Sequence, residues 1–573
     1  MKLKLSTKFI LFVILLFAGA LRLYDSNWDQ GYHLHPDERA IILTTTKLHL
    51  PQILSQFLSP DSTWNPHFFA YGSFPFYFLY FVGQSLTAIN PDFAQYVLIN
   101  IPGRFISAVS DLLTLVLLFA LGRKLFGKTI GLLAAFFYGI SVLPIQLSHF
   151  YAVDTLLTLF IVATLYQLIR FYEKPSLSKA LTVGIFFGFA LATKVSALVL
   201  LISLGAALSA DFLLLFLKQP HKPEHYLPYI PSFLKHLLTH ALLIGGVTFG
   251  TFLILEPYAL IDFPNFWMQT VQQSAMTHDA FTFPYTLQYV GKIPYFYELK
   301  NIFFFGLGPM LGVLAFIGFF LFTNLTLRKG KKGKWAQEII LLVFFAAYFF
   351  TVGKFAIGFM RYMLPLYPLC CLFAALSTFT LIQLMNQLLK NIFLRSALSI
   401  ILFILLLLWP MSFMHIYSKP NTRVSASFWI HQNIPVGKTL TVEHWDDQLP
   451  LTDSQEYQTQ TLALYDPDTD LKWQIINKQL EQTDDIIIAS NRLYTPLQKL
   501  TNCTKLPPDR CYQRTALYYQ SLFSGKLGFQ KVAEFTDYPV IPFLNIPIND
   551  QWADESFTVY DHPRVMIFKK YEN

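Results

Sequence analysis

Long apolar runs dominate this chain, and they limit it to few architectures. Inside a bilayer a backbone must satisfy its own hydrogen bonds, so a run of about 20 apolar residues crosses as a helix. Such runs lie near residues 8–24, 103–121, 129–147, 152–171, 180–193, 195–217, 237–256, 301–324, 337–353, 358–383 and 396–415. The expected fold is therefore an all-α polytopic membrane protein of about 11 transmembrane helices. The first run follows Lys2, Lys4 and Lys8 and ends at Arg22, with no small-x-small cleavage site. It reads as a retained span rather than a cleaved signal peptide.

Only 14% of the 573 residues are charged, against about 25% in soluble proteins. A disordered chain, a nucleic-acid-binding domain and an ordinary soluble enzyme are thereby excluded. The charges are also unevenly placed. From residue 418 onward there are 19 acidic and 15 basic side chains, a net of −4, which leaves +12 for the rest. The chain thus divides into a membrane part, 1–417, and a water-facing tail, 418–573. The basic excess fits loops retained in the cytoplasm. Clusters occur at Arg123, Lys124 and Lys128, and within 170–179, 218–235, 328–334 and 390–395. A cytoplasmic N-terminus and 11 spans put all five inside and the tail outside, as in an integral protein of the cell (plasma) membrane. Residues 68–90 are apolar enough to cross, but crossing would invert every later loop. They are expected to lie at or re-enter the outer interface, which suits their aromatic content.

With this topology, several unusual polar residues fall on the outer face. The first outer loop, 25–102, contains Asp25, Asp29 and the run His35-Pro36-Asp37-Glu38, followed by Arg39. Acids after a proline also suit a plain helix N-terminus. Asp154, in HFYAVD, opens a span on the same face, and ionisable groups at such depth point to function. Lys194 in ATKVS and Arg361 in FMRYMLPLYP face the same way, with Lys354 seven residues before Arg361. Each cation taken singly could snorkel to the interface. Together, acids and cations from distant spans suit an anionic lipid-linked substrate. The cations would hold phosphate and a carboxylate would accept a proton.

The ordered set resembles the GT-C-fold membrane glycosyltransferases of the protein O-mannosyltransferase and aminoarabinose-transferase type, glycosyltransferase family 39. The residues carrying the resemblance are Asp37-Glu38, the stretch PGRFISAVSDLLTLVLLFALGRKLFG at 102–127, HFYAVD, ATK, and RYMLPLYP with Arg361 and Tyr362. The similarity spans roughly 8–420. It implies an enzyme that takes a sugar, commonly mannose, from a polyprenyl-phosphate monosaccharide and gives it to an acceptor hydroxyl with inversion. Asp37 would be the general base, with Glu38 and Asp154 supporting the catalytic site. Lys194, Arg361 and Tyr362 would bind the lipid phosphate. The family also places an interfacial helix near 68–90. No cofactor is required. Two departures stand out. Pro66-His67 follows Trp64-Asn65 where many relatives carry His-Pro-Pro, and the tail differs from those of the resembling enzymes. The resemblance therefore implies no particular acceptor, whether protein, lipid or glycan.

Other polar groups give weaker signals. His35 and Arg39, Glu256 in EPYAL, Lys354, and His278-Asp279 are candidate substrate contacts. A divalent metal on Asp37, Glu38 or His35, beside His33, is a further reading. Tyr285, Tyr289, Tyr295 and Tyr297 suit either sugar stacking or an interfacial belt. In the tail, strand-like runs at 438–445, 484–490, 529–535 and 565–570 alternate with a helix-like run at 470–482, which predicts a small α/β domain. Cys503 and Cys511 are candidates for a disulfide in an oxidising compartment. The tail suits either a structural lid or acceptor recognition. A transporter or flippase of a lipid-linked or anionic substrate is the competing class, although no internal repeat supports it. A non-catalytic scaffold would leave the clustered ions without a role.

Overall fold

The structure is a computed structural model, which describes residues 6–218, 227–328 and 334–571. Lys2, Lys4, Lys222, Lys329, Lys331 and Lys332, which contribute to the expected basic clusters, lie outside the described residues. The chain is mostly helical up to Phe413, and a mixed sheet follows. Among the described residues seven helices are long and apolar enough to cross a membrane. They are Asn100–Phe126, Val153–Glu173, Leu227–Leu255, Pro309–Arg328, Trp335–Val352, Met360–Leu388 and Ile392–Phe413. An eighth span forms if Lys128–Gly139 and Val142–Ser148, bent by 56°, count as one. These helices make the chain an integral membrane protein. Three segments expected to span are shorter. Thr7–Leu23 has 17 residues and Leu177–Leu191 has 15, and Val195–Ala210 is likewise a short apolar stretch.

Residues 68–90 contain one helix, Phe74–Leu86, of 13 residues. At 1.5 Å per residue it covers about 20 Å, less than the hydrocarbon thickness of about 30 Å. Ahead of this helix, the Gly72 and Phe74 N–H groups donate to Thr193 O and Ala192 O, at 3.0 and 3.2 Å. The segment is thereby fastened to the turn that carries Lys194.

Small residues let the membrane helices approach closely, as expected where lipid provides no hydrophobic drive. A Cβ on Gly318 would lie 1.9 Å from Phe373 O, so Pro309–Arg328 packs backbone to backbone on Tyr367–Leu388. Arg22, fully buried among these helices, is paired. Arg22 Nε meets Asp111 Oδ2 at 2.5 Å, and the Arg22 guanidinium also donates to Ala18 O, Gly139 O and Tyr138 O.

The C-terminal sheet has five strands: β1 (Thr439–Glu443), β2 (Gln458–Leu462), β3 (Asp485–Ile488), β4 (Phe529–Phe535) and β7 (Val565–Lys570). A separate short hairpin is formed by β5 (Val540–Ile541) and β6 (Ile546–Pro547). The large sheet runs β2-β1-β3-β7-β4, with β1 parallel to both β2 and β3, and β7 antiparallel to both β3 and β4. Alternation along the strands builds two apolar layers. Ile486, Ile488 and Phe568 pack on Trp473, Ile476, Tyr519 and Leu522, whereas Ile487 and Ile567 pack on Ala426 and Ile430. Helices therefore cover both faces. Cys503 and Cys511 form a disulfide in this region.

A buried charged joint ties the sheet region to the membrane helices. His562 Nε2 lies 2.9 Å from Asp550 Oδ2, and Nδ1 lies 2.5 Å from Asp561 Oδ1. Asp561 Oδ2 also accepts from Gln146 Nε2 and Tyr417 OH, at 3.0 and 2.8 Å. Burial disfavours the imidazolium, but the two carboxylates outweigh it and raise His562 to about 10. A raised pKa means that the folded state binds the proton more tightly than the unfolded chain. The stabilisation is therefore full below the ordinary histidine pKa, declines as pH rises, and is lost above about 10. Thermal unfolding of the detergent-solubilised protein should show its midpoint falling across that window. In His562→Gln the midpoint should be lower at neutral pH and less dependent on pH.

Candidate functional site

The site begins where the first loop turns into the short helix Pro36–Thr45. Pro36 occupies the first turn, where its missing N–H costs nothing. His35 Nδ1 caps the helix by accepting from the Glu38 N–H at 3.3 Å. That acceptor role places the proton of the neutral ring on Nε2. Burial drives His35 down to about 3, and its ring lies against Phe150 and Tyr560, 4.5 and 4.2 Å between centroids.

Successive helical residues point about 100° apart, so Asp37 and Glu38 enter different surroundings. Glu38 is fully buried and turns towards Arg104. Its Oε1 accepts from Arg104 Nε and the Tyr151 N–H, both at 2.9 Å, and its Oε2 accepts from Arg104 Nη2 at 2.6 Å. Arg104 also holds Asp29 Oδ2 at 2.7 Å and Ser26 O at 2.8 Å. Burial outweighs this pairing and leaves the Glu38 carboxyl above its usual value. Both Glu38 oxygens are thus engaged by Arg104 and the Tyr151 N–H, which fixes the loop.

Asp37 faces the opposite way. Its Oδ2 lies 2.8 Å from Arg361 Nη2. Burial pushes its carboxyl up, but Arg361, His35, Tyr71 and Lys194 together hold it below the ordinary carboxylate range. Asp154, in the first turn of Val153–Glu173, completes the cluster. Lys194 Nζ donates to Asp154 Oδ1 at 2.9 Å, and Arg361 Nε lies 3.8 Å from Asp154 Oδ2. Lys194 also sits over the Tyr362 ring, 4.4 Å from its centroid. Five of the expected residues, Asp37, Asp154, Lys194, Arg361 and Tyr362, thus share one cluster. Buried Arg361 Nε and Nη1 have no hydrogen-bond partner among the described residues. An unsatisfied guanidinium face in a buried site is costly unless an anion meets it.

An apolar trench of about 780 Å³ opens from the cluster. Tyr71, Lys194 and Tyr362 line it, and Leu198, Leu201, Leu204, Phe249 and Phe252 extend it among the membrane helices. Glu256 and His278 also line the trench, and Glu256 is 2% exposed with no ion pair among the described residues. The remaining candidates lie elsewhere or are otherwise engaged. Arg39 donates to His33 O at 2.9 Å and to Asp447 Oδ1 at 2.6 Å, so it bridges to the C-terminal region. Lys354 is exposed and makes no side-chain hydrogen bond or ion pair among the described residues. Asp279 caps a turn through the Phe281 N–H. Tyr289 and Tyr297 pack into the region around Asp554, Tyr295 stacks near Phe349, and Tyr285 stands 6.1 Å from Trp445. No set of three His, Cys, Asp or Glu side chains that could hold a metal occurs among the described residues.

Sequence reasoning missed Arg104 and the loop His444-Trp445-Asp446-Asp447. An arginine within an apolar span was the available signal for Arg104. The loop follows the carboxyl end of β1, the end where open α/β sheets usually bind ligands. Asp446 pairs with Arg423 at 2.8 Å, and Asp447 with Arg39 and Arg423. Trp445 is left half-exposed at φ +63°, a left-handed conformation that is costly for this residue type.

The geometry separates fully paired carboxylates, Asp29 and Glu38, from Asp37, which shares its cation with Asp154. Arg104→Leu should lower stability by about 3–5 kcal/mol, because it strands Asp29 and Glu38 as buried unpaired charges. Asp37→Asn should leave the unfolding midpoint within a few degrees of the native value. Thermal unfolding in detergent checks both.

Residues 100–240 match the family model described as dolichyl-phosphate-mannose-protein mannosyltransferase. No curated protein matches the sequence. Among solved structures, the oligosaccharyltransferase AglB from Archaeoglobus fulgidus, in complex with an inhibitory peptide and a dolichol-phosphate, is similar at 13% identity and a TM-score of 0.50. That match covers 98% of this chain and 88% of AglB. The apo form of the Archaeoglobus fulgidus oligosaccharyltransferase gives 14% identity, a TM-score of 0.51, and coverage of 99% and 89%. ArnT from Cupriavidus metallidurans bound to undecaprenyl phosphate aligns at 12% identity and a TM-score of 0.45, over 97% and 98% of the two chains. The chain has the GT-C fold of membrane glycosyltransferases, and its residues 100–240 match the dolichyl-phosphate-mannose-protein mannosyltransferase family.

Proposed function

We propose that this protein is a membrane glycosyltransferase that moves a monosaccharide, mannose-like, from a polyprenyl-phosphate sugar to an acceptor hydroxyl, with inversion. One observation carries the reading. An apolar trench reaches Lys194 and Tyr362, and the cluster they belong to holds Arg361, with unsatisfied donors, beside the Asp37 carboxylate. A prenyl chain fits the trench, and a phosphate fits Arg361 and Lys194.

In this reading Asp37 accepts the proton of the acceptor hydroxyl as its oxygen attacks the anomeric carbon. The bond from that carbon to the phosphate oxygen breaks, and polyprenyl phosphate leaves. A single displacement inverts the centre. The leaving phosphate gains charge, which Arg361 and Lys194 stabilise. The site also adjusts its own base. In the free protein Arg361 and Lys194 depress Asp37. A bound phosphate competes for the same cations and so makes Asp37 more basic when the donor is present. Asp154 keeps Lys194 in place, and Glu256 is poised to accept a hydrogen bond from the donor sugar. No metal or other cofactor is invoked.

The same proposal includes 11 spans, a cytoplasmic N-terminus, a membrane catalytic domain over 1–417 and an outward-facing domain over 418–573. The acceptor would arrive between that domain and Asp37, past Trp445 and Tyr285.

Proteoliposomes given polyprenyl-phosphate mannose test the reaction through release of polyprenyl phosphate. Asp37→Asn should retain polyprenyl-phosphate binding and lose about 10²–10⁴-fold in turnover, the usual worth of a general base. Arg361→Ala or Lys194→Ala should weaken polyprenyl-phosphate binding by about tenfold or more, as for loss of a charge-assisted hydrogen bond. Undiminished turnover in Asp37→Asn would sink the base assignment. Passage of intact donor across the bilayer without sugar transfer would favour a transporter.

A further inference from the structure

The β5–β6 hairpin is the least explained part of the molecule. Between Asp537 and Asp550 there is no charged residue, and the run reads YPVIPFLNIPIN. At its tip Phe543 is fully exposed, Leu544 is 65% exposed, and Ile546 on β6 is 51% exposed. Isolated exposed apolar residues are ordinary, but a contiguous charge-free tip of this kind marks an interaction surface. The turn is also strained. Phe543 and Asn545 have φ +66° and +53°, and neither is glycine. Three prolines, at 539, 542 and 547, stiffen it. Two such strands cannot stabilise themselves in water.

The feet of the hairpin show where it points. β5 packs against the helix Ile392–Phe413, the span whose most apolar window is almost entirely unburied by protein. Asp537 lies 3.5 Å from Lys419, just beyond the end of that helix. Asp550 is fixed to His562 in the buried joint. Ile548 packs on the membrane core, and Trp552 lies against Phe305, 4.4 Å between centroids, with Lys300 over its ring at 5.3 Å. A half-exposed Trp beside a Lys at the end of membrane helices is the arrangement of a bilayer interface. The apolar tip therefore continues the lipid-facing surface of Ile392–Phe413.

We propose that the β5–β6 hairpin inserts Phe543 and Leu544 into the bilayer interface and thereby anchors the C-terminal domain to the lipid. The partner is the bilayer itself. Insertion needs no specific headgroup, because the run offers no charge to recognise one. It gives the C-terminal domain an attachment to lipid, in addition to its contacts with the membrane helices, and limits its rocking over the Asp37 cluster.

Thiol labelling tests the proposal independently of any transferase activity. Cys370 and Cys371 are buried and Cys503 and Cys511 are bonded, so an introduced cysteine is the accessible thiol. The full-length Phe543→Cys and Leu544→Cys variants would carry an environment-sensitive fluorophore in phosphatidylcholine vesicles. Lys526→Cys, on an exposed turn of the C-terminal domain, is the reference. Labels at 543 and 544 should be quenched by lipid-borne nitroxide and shielded at least threefold from aqueous iodide, relative to 526. Iodide quenching equal to that at 526 would overturn the insertion. Shielding from both quenchers would also overturn it, and would show that a second copy or another protein covers the tip.

Discussion

A carboxylate taken out of water is costly unless a cation meets it, and Asp29, Asp37 and Glu38 are arranged around that constraint. Two adjacent acids on one short helix are each given a separate partner. Glu38 goes to Arg104, which also neutralises Asp29. Asp37 goes to Arg361, which it shares with Asp154, and Asp154 in turn holds Lys194. The first arrangement is saturated and rigid. The second leaves guanidinium donors unmet, so it can receive another anion without first breaking its own structure. The helical angle between residues 37 and 38 sends the two carboxylates to different cations.

The supports of the open cluster come from distant parts of the chain. The 68–74 segment bonds to the turn before Lys194, and the Val153–Glu173 helix begins one residue before Asp154. The C-terminal region closes over the same place through Arg39 and Asp447. Its contribution is a loop immobilised by ion pairs that nevertheless presents a strained, half-exposed Trp445 near Tyr285. Its joint to the membrane helices, through His562, Gln146 and Tyr417, is buried and charged, so it fixes the orientation of the two parts.

Much of this was legible in the sequence, for physical reasons. Apolar length and the rarity of charge mark membrane helices, and the residual charges, Asp37, Asp154, Lys194 and Arg361, stand out against that background. Segment length was less legible, because Thr7–Leu23 and Leu177–Leu191 are apolar but run only 17 and 15 residues, at or just under the short end for a spanning helix. In the tail, β1 and β4 alternate in part, and β3 and β7 are short continuous apolar runs, so all four fall within the strand-like runs. β2 does not, since QTQTL is a polar edge strand, and β5 and β6 are too short to show a period. The different roles of Asp37 and Glu38 were hidden because pairing with Arg104 is a tertiary fact. Arg39 and Lys354 were candidate substrate contacts, yet one bridges to Asp447 and the other faces outward.

In the proposed reading the Arg361–Lys194 cluster seats a lipid phosphate and the trench beside it holds the prenyl chain. An experimental structure of the protein with polyprenyl phosphate tests this most directly. The account predicts phosphate oxygens within about 3 Å of Arg361 and Lys194 nitrogens, with the prenyl chain running past Leu198 and Leu201 and Asp37 left facing the C-terminal domain. A phosphate seated elsewhere, with Arg361 still closed on Asp37 and Asp154, would contradict it.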